Sequence, residues 1–342
     1  MNLSKVALLL AGLWGGANAT QLSNRNGFVD GAMAYWNPSA ASPVALPTNL
    51  GSYPGPVMWR VSAGTGGAGT VALVNLQTST DLAAMEAEDT ISCFKIAITG
   101  GSSGTVAART AGAFFQPLEN VARYAGKSVT IQFKLKADAP ITIPSILASQ
   151  NFGTGGAPSA QVVLDKAITW NVGTSFKKFS VRLDFPNLVG KTLGGNGDSG
   201  LSVGFWLPPG VTTTGLYVAE AQIEACSPNA SSDLTGLGGN PLSFEHRGPQ
   251  AEAARSHRFF FAPGGAQLNV SGYGSGSAYT AYHLPVVMRA IPAVSASWGS
   301  GVNANAGSFR VADYKTIESN ITNTGSVGFS AVVTWTAFDA RL

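Results

Sequence analysis

Charge is scarce in this chain of 342 residues: Asp, Glu, Lys and Arg together make up 11%, and 21 Lys+Arg against 18 Asp+Glu leave a formal net charge of +3. No basic run gathers that small excess, which argues against nucleic acid as the main partner. So thin a supply of Glu, Lys and Arg also argues against long solvent-facing helices. There are two cysteines, Cys93 and Cys226, too few for a disulfide scaffold. They read either as one bridge between strands or, the more ordinary case, as two small buried hydrophobes. His246, His257 and His283 are scattered and stand at no metal-ligand spacing from either cysteine, which makes zinc improbable. No apolar run approaches the ~20 residues of a membrane-spanning helix, and no repeat with a period of about 20–50 residues marks a solenoid or propeller.

What the chain does have is glycine, 42 residues of it, and an ordinary apolar fraction of 45%. Short runs between the glycines alternate apolar and polar. In 128–136 (SVTIQFKLK), Val129, Ile131, Phe133 and Leu135 share one face while Thr130, Gln132 and Lys134 share the other. Segments 179–185 (FSVRLDF) and 219–224 (AEAQIE) follow the same rule. Successive side chains of a strand point to opposite faces, so each run buries one row and wets the other, as stacked antiparallel sheets require. The fold class is therefore all-β. Parity also sorts the tryptophans: Trp170 is in phase with Ile168 and Val172 and reads as core, whereas Trp206 is out of phase with Leu201, Val203, Phe205 and Leu207 and reads as outward.

Length and composition divide the chain into residues 1–24, a sandwich over 25–240, a Ser/Asn/Gly-rich approach to a linker at 241–249, and a smaller β domain over 250–342. Lys5, the apolar residues 6–14 and Ala17-Asn18-Ala19 reproduce the parts of a secretory signal. The competing reading, which we prefer, is an attachment peptide that packs on another subunit. Within the sandwich, 26–36 is expected as an opening strand with a turn inside it. Residues 114–124, interrupted by Pro117, are expected as a loop or one helical turn, and 250–256 as a helical turn at most.

Several segments, taken in order, resemble a family of bacteriophage virion proteins: tail-fibre, tail-spike and head-fibre components built on a carbohydrate-binding-module-like jelly roll. They are Asn26-Gly27-Phe28 with Trp36, Ala125-Gly126-Lys127 leading into 129–136, 150–159 (QNFGTGGAPS), 190–195 (GKTLGG) with Asp198, and 221–224 (AQIE). Past the linker come Glu252 with Arg258 and the aromatics to Phe261, where Ser256-His257 replace the family's Cys-Gln, then 284–294 (LPVVMRAIPAV) and 339–342 (DARL). The resemblance implies a jelly-roll sandwich followed by a C-terminal β domain and a virion location, an exported bacterial lectin being the alternative. The partners it implies are a homotrimer, other virion proteins held through residues 1–24, and a host-surface polysaccharide. Residues His257–Phe261 and Trp335 are the expected contributors to the trimer. Jelly rolls of this kind often hold a structural Ca²⁺, for which Asn26 and Asp30 are the candidate ligands.

Catalytic chemistry finds little support. Glu220 and Glu224 share a strand face, but residues four apart in a strand lie about 13 Å from each other, too far for either glycosidase mechanism, and they read as a solvated face. There is no Gly-x-Ser-x-Gly elbow. The expectation is a non-enzymatic fibre component adhering to a glycan, with outward Trp206 as the stacking platform; a purely structural decoration subunit is the alternative.

Overall fold

The computed structural model describes residues 26–37, 40, 42–77, 79–86, 90–225, 244–245, 247, 249–263, 266–272, 277–290, 292–299, 308–311, 315–322 and 329–341. The N-terminal segment 1–24, Cys226 and His246 lie outside them, so the expected attachment peptide and the Cys93–Cys226 pairing do too. Among the described residues the sandwich strands are β1 (Val44–Ala45), β2 (Arg60–Gly64), β3 (Ala68–Asn75), β4 (Ser92–Gly100), β5 (Ala111–Glu119), β6 (Ser128–Ala137), β7 (Ile141–Asn151), β8 (Val162–Val163), β9 (Lys166–Val172), β10 (Lys177–Asp184), β11 (Gly200–Trp206) and β12 (Thr213–Ala225). One sheet runs β1-β3-β4-β12-β6-β10; the other runs β2-β5-β11-β7-β8, with β9 also on β7. The chain passes repeatedly from one sheet to the other, giving a jelly-roll sandwich.

The alternation drives this arrangement. Val129, Ile131, Phe133 and Leu135 of β6 are fully buried between the sheets, as are Val203 and Phe205 of β11. Trp59 stacks on Phe114 with centroids 4.7 Å apart, Phe114 lies 5.4 Å from Phe205, and Phe205 meets Phe133 edge-on at 5.1 Å. Each such side chain contributes roughly 1.5–3 kcal/mol by leaving water. Trp170 belongs to the same core, as its parity requires.

Three local expectations are corrected. Residues 26–36 form no strand and contribute a single bridge, Trp36 to Pro56, although the turn expected inside them is present, with Asp30 and Met33 at φ 55° and 56°. Residues 111–119 are a strand through the middle of the second sheet, Pro117 included, followed by a 3-10 turn over Val121–Tyr124. Alternation fails there because both faces are buried, Phe114 and Leu118 inward and Ala111, Ala113 and Phe115 outward. The expected helical turn at 250–256 is a full α-helix, α1 (Pro249–His257).

The C-terminal domain holds β13 (Phe260–Phe261), β14 (Ala266–Gly272), β15 (Ser277–His283), β16 (Ala293–Trp298), β17 (Ser308–Val311), β18 (Thr316–Thr322) and β19 (Phe329–Asp339). β13, β14 and β16 pair with β19, and β15-β18-β17 form a second sheet. Its core contains Trp335, Phe338, Val333 and Ile317. Trp335 is fully buried within its own chain, so it presents no surface for a trimer contact; Phe260 is likewise buried, against the sandwich core. The segment 241–249 is no free linker where it is described: Glu245 and Arg247 are buried and ion-paired at 3.8 Å.

Candidate functional site: an arginine-lined seam

Trp206 points out of the sandwich, as its parity requires, but it is not exposed. It is fully buried in a small outer cluster with Ala111, Ala113, Phe115 and Leu147, over which Leu50 and Val106 pack. Its indole N–H donates to Asp165 at 3.0 Å, and the Arg109 guanidinium lies over the ring at 5.3 Å. Arg109 in turn donates to Asp165 at 2.7 Å. No face of the ring is open to a sugar, which corrects the expected platform; sequence parity reads direction and is blind to what a distant loop covers.

Glu220 and Glu224 are also corrected, for they form no solvated face. They are 2% and 3% exposed, on the outer side of β12. The register of β12 against β6 slips between Ala219 and Gln222, a β-bulge at which Glu220 takes φ 43°. Its carboxylate is ion-paired with Lys134 at 2.7 Å and accepts the Glu86 amide at 2.6 Å. Lys134 is itself buried, and Gln222 accepts the Glu245 amide at 2.6 Å. This polar strip fastens the 84–86 and 244–247 segments to the sheet.

Asn26 and Asp30 turn their oxygens to backbone donors. Asn26 Oδ1 accepts the amides of Phe28 at 3.0 Å and Ile223 at 3.2 Å; the Asp30 carboxylate accepts those of Ala34 at 2.6 Å and Tyr35 at 3.2 Å. Burial pushes the Asp30 carboxyl well above the usual carboxylate range, the nearby Glu252 adding to the shift. Donors so engaged make a poor Ca²⁺ cradle, and among the described residues no three His, Cys, Asp or Glu side chains gather as a metal site.

Among the described residues a concave feature lies where one end of the second sheet meets the C-terminal domain. Antiparallel pairing brings the start of β2, the end of β5, the start of β11 and the end of β7 to the same edge: Gly200 is opposite both Glu119 and Asn151, and Arg60 is opposite Phe115. Arg60, Asn151, Asp198 and Ser202 from that edge face Arg289 and Arg341 across a cavity of about 320 Å³. Pro117 also lines a neighbouring depression of about 90 Å³ that holds Glu119, Arg123, Arg255 and Arg258. Arg255 and Arg258 continue into a shallow recess of about 440 Å³ floored by Val286 and Val287. The result is one seam carrying six of the eleven arginines of the chain and none of its ten lysines.

These arginines are held in place to different degrees. Arg341 donates to Asp339 at 2.6 Å and to the Val57 carbonyl at 3.1 Å, and lies over Tyr53 at 4.2 Å and Phe260 at 4.4 Å. Arg60 covers the same tyrosine at 4.9 Å. Glu119 stands 3.4 Å from Arg258 and 3.8 Å from Arg289. The Arg289 side chain is only 7% exposed, yet its Nε has no hydrogen-bond partner, and neither has Nη1 of Arg255. Burial, with Arg247 nearby, holds the Arg255 guanidinium below its usual pKa. Asp198 is fixed by Thr154, whose amide and hydroxyl donate to it at 2.7 and 2.6 Å and hold its carboxyl below the usual range. Gly153, at φ 87°, allows that loop: a side chain there would run into the Asp198 carboxylate.

None of this was legible as a site in the sequence. Its arginines are separated by up to 281 positions, from Arg60 to Arg341. The one local signal is Arg255 with Arg258 near the end of α1.

No protein-family model matches the chain, and no curated protein matches it. Solved structures similar to it include a xylan-binding carbohydrate-binding module from Paenibacillus barcinonensis, 17% identical, covering 53% of this chain and 98% of that one with a TM-score of 0.30. The N-terminal cellulose-binding domain of a Cellulomonas fimi β-1,4-glucanase is 16% identical over 53% of this chain and 97% of its own, with a TM-score of 0.30. The enzymatically active domain of a tailspike protein of bacteriophage CBA120 is 16% identical, with 59% and 22% covered and a TM-score of 0.31.

Proposed function

We propose that this chain is a non-enzymatic fibre component of a virion that adheres to a host-surface glycan through the seam. The observation that carries the reading is the seam itself. It is an open concavity on a rigid sheet end, lined by guanidinium groups, two carboxylates, an asparagine and a serine, which is the mix of donors and acceptors that grips sugar hydroxyls. Hydrolysis needs one carboxyl kept protonated near neutral pH. In the seam Asp198 is shifted the other way, and Asp30, whose carboxyl is raised, is buried away from solvent. The order of the virion-like segments supports the fibre assignment, and a homotrimer held to other virion proteins through residues 1–24 is part of the same proposal.

A glycan array probed with the purified full chain tests the binding, and a reducing-end assay on each bound polymer tests the lack of cleavage. Binding without release of reducing ends is expected. An array with no bound glycan, or release of reducing ends, contradicts the reading. Native mass spectrometry of the full chain checks the trimer, which a monomer at micromolar concentration would contradict.

A further inference from the structure

We infer that the glycan taken by the seam is acidic, a polysaccharide whose sugars carry carboxylates; the inference rests on the glycan-binding reading and adds the charge class of the ligand. Six guanidinium groups line the concavity against two lining carboxylates, Glu119 and Asp198, and a third, Asp339, pairs with Arg341 at 2.6 Å, which leaves an excess of positive charge. A neutral sugar has nothing to offset that excess. Surface lysines, which supply loose positive charge, are absent from the lining although the chain has ten of them. Arginine differs from lysine in presenting a planar fork that meets a carboxylate with two parallel hydrogen bonds.

The second observation is the state of the donors. A polar N–H buried without a partner costs ~1–3 kcal/mol, and here two of them, Arg289 Nε and Arg255 Nη1, are buried at the seam. Their nearest acidic neighbour is poorly matched: Glu119 is shared between Arg258 and Arg289 at 3.4 and 3.8 Å, longer than a charge-assisted hydrogen bond. A ligand carboxylate entering the seam meets a guanidinium cluster whose own acidic partner is poorly placed. The packing of Arg60 and Arg341 on the Tyr53 ring pre-orients their guanidinium groups, so less side-chain freedom is lost on binding.

The carboxylates in the lining separate an acidic sugar from a nucleic acid. Glu119, Asp198, Asn151 and Ser202 offer acceptors to sugar hydroxyls. A DNA backbone has no hydroxyl to donate to them. A uronic acid brings both halves of the match, an anionic group for the arginines and several O–H donors for the acceptors.

Titration calorimetry of the full chain with polygalacturonate, its fully methyl-esterified form and a DNA duplex tests this. Polygalacturonate is expected to bind, and esterification, which removes charge while keeping the chain, is expected to weaken binding at least about tenfold, equivalent to ~1.4 kcal/mol. Raising the salt from low to high ionic strength should weaken it further. Arg255→Gln with Arg258→Gln should abolish binding, and Arg258→Gln alone should weaken it with thermal unfolding unchanged, since the Arg258 side chain is half exposed. Arg258→Lys, which keeps the charge and loses the fork, should recover only part of the affinity. Equal binding of both galacturonan forms overturns the acidic assignment while leaving glycan binding intact. Binding of the duplex as tightly as polygalacturonate, or no binding of any of the three, overturns it as well.

Discussion

Two regions of this molecule pair arginine with aromatic side chains, and they have opposite fates. On the outer flank of the second sheet, Arg109, Asp165 and Trp206 close on one another: one carboxylate takes the guanidinium at 2.7 Å and the indole N–H at 3.0 Å, and Leu50 and Val106 cover the ring. At the end of the same sheet Arg60 and Arg341 lie against Tyr53, but the neighbouring Arg255 and Arg289 keep donors without partners and the surface is concave. The first arrangement consumes its own chemistry and contributes stability. The second leaves chemistry over, at the cost of exposed or buried charge, and a ligand is what would use it. An aromatic residue facing away from a core is therefore no sign of a binding platform; an unsatisfied donor in a cavity is the better one.

The comparison can be broken most forcefully at Trp206. Trp206→Ala is expected to destabilise the protein by ~3–5 kcal/mol, as for a buried large-to-small change, while the surviving folded fraction binds glycan normally. Denaturant unfolding checks this, and a near-neutral change would mean that the ring is open after all. Glu220→Ala, on the other outer face, should cost ~3 kcal/mol, because Lys134 remains buried and loses its 2.7 Å partner; chemical denaturation of the variant reads it. A weaker effect is expected at Asp30, since Asp30→Asn keeps the acceptor for the Ala34 and Tyr35 amides. The folded-state pKa of Asp30 is raised, so the fold favours its protonated form, and that contribution is lost as pH rises from the unfolded value of 3.8 through the raised one. Melting temperatures across acid to neutral pH should show the wild type losing stability relative to Asp30→Asn. The smallest stability effect belongs to Arg258→Gln, within about 0.5 kcal/mol as for an exposed site, which would place its whole consequence in binding.

The sandwich was legible because period-two alternation survives wherever one face of a strand is wet or polar: β6 reads off its own sequence and pairs in register with β10, Phe133 opposite Phe179. β5 was not legible, since its two faces are both buried and its Pro117 reads as a break. Direction was readable at Trp206, cover was not, because the cover comes from Leu50 and Val106, more than ninety residues away. The same limit hid Glu220, whose bulge breaks the parity of β12 and whose partner Lys134 sits on another strand. The seam left no trace in any window of sequence, as strand ends and a second domain assemble it from residues 60 to 341.

The central claim is that ligand engages the seam and not the outer flank. Hydrogen exchange of the full chain with and without polygalacturonate tests it most directly. Slower exchange is expected in the peptides covering 115–124, 198–202 and 255–260 and around Arg289 and Arg341, with those covering 101–110 and 162–167 beside Trp206 unchanged. Protection confined to the peptides beside Trp206, or none anywhere at saturating polymer, would contradict the account.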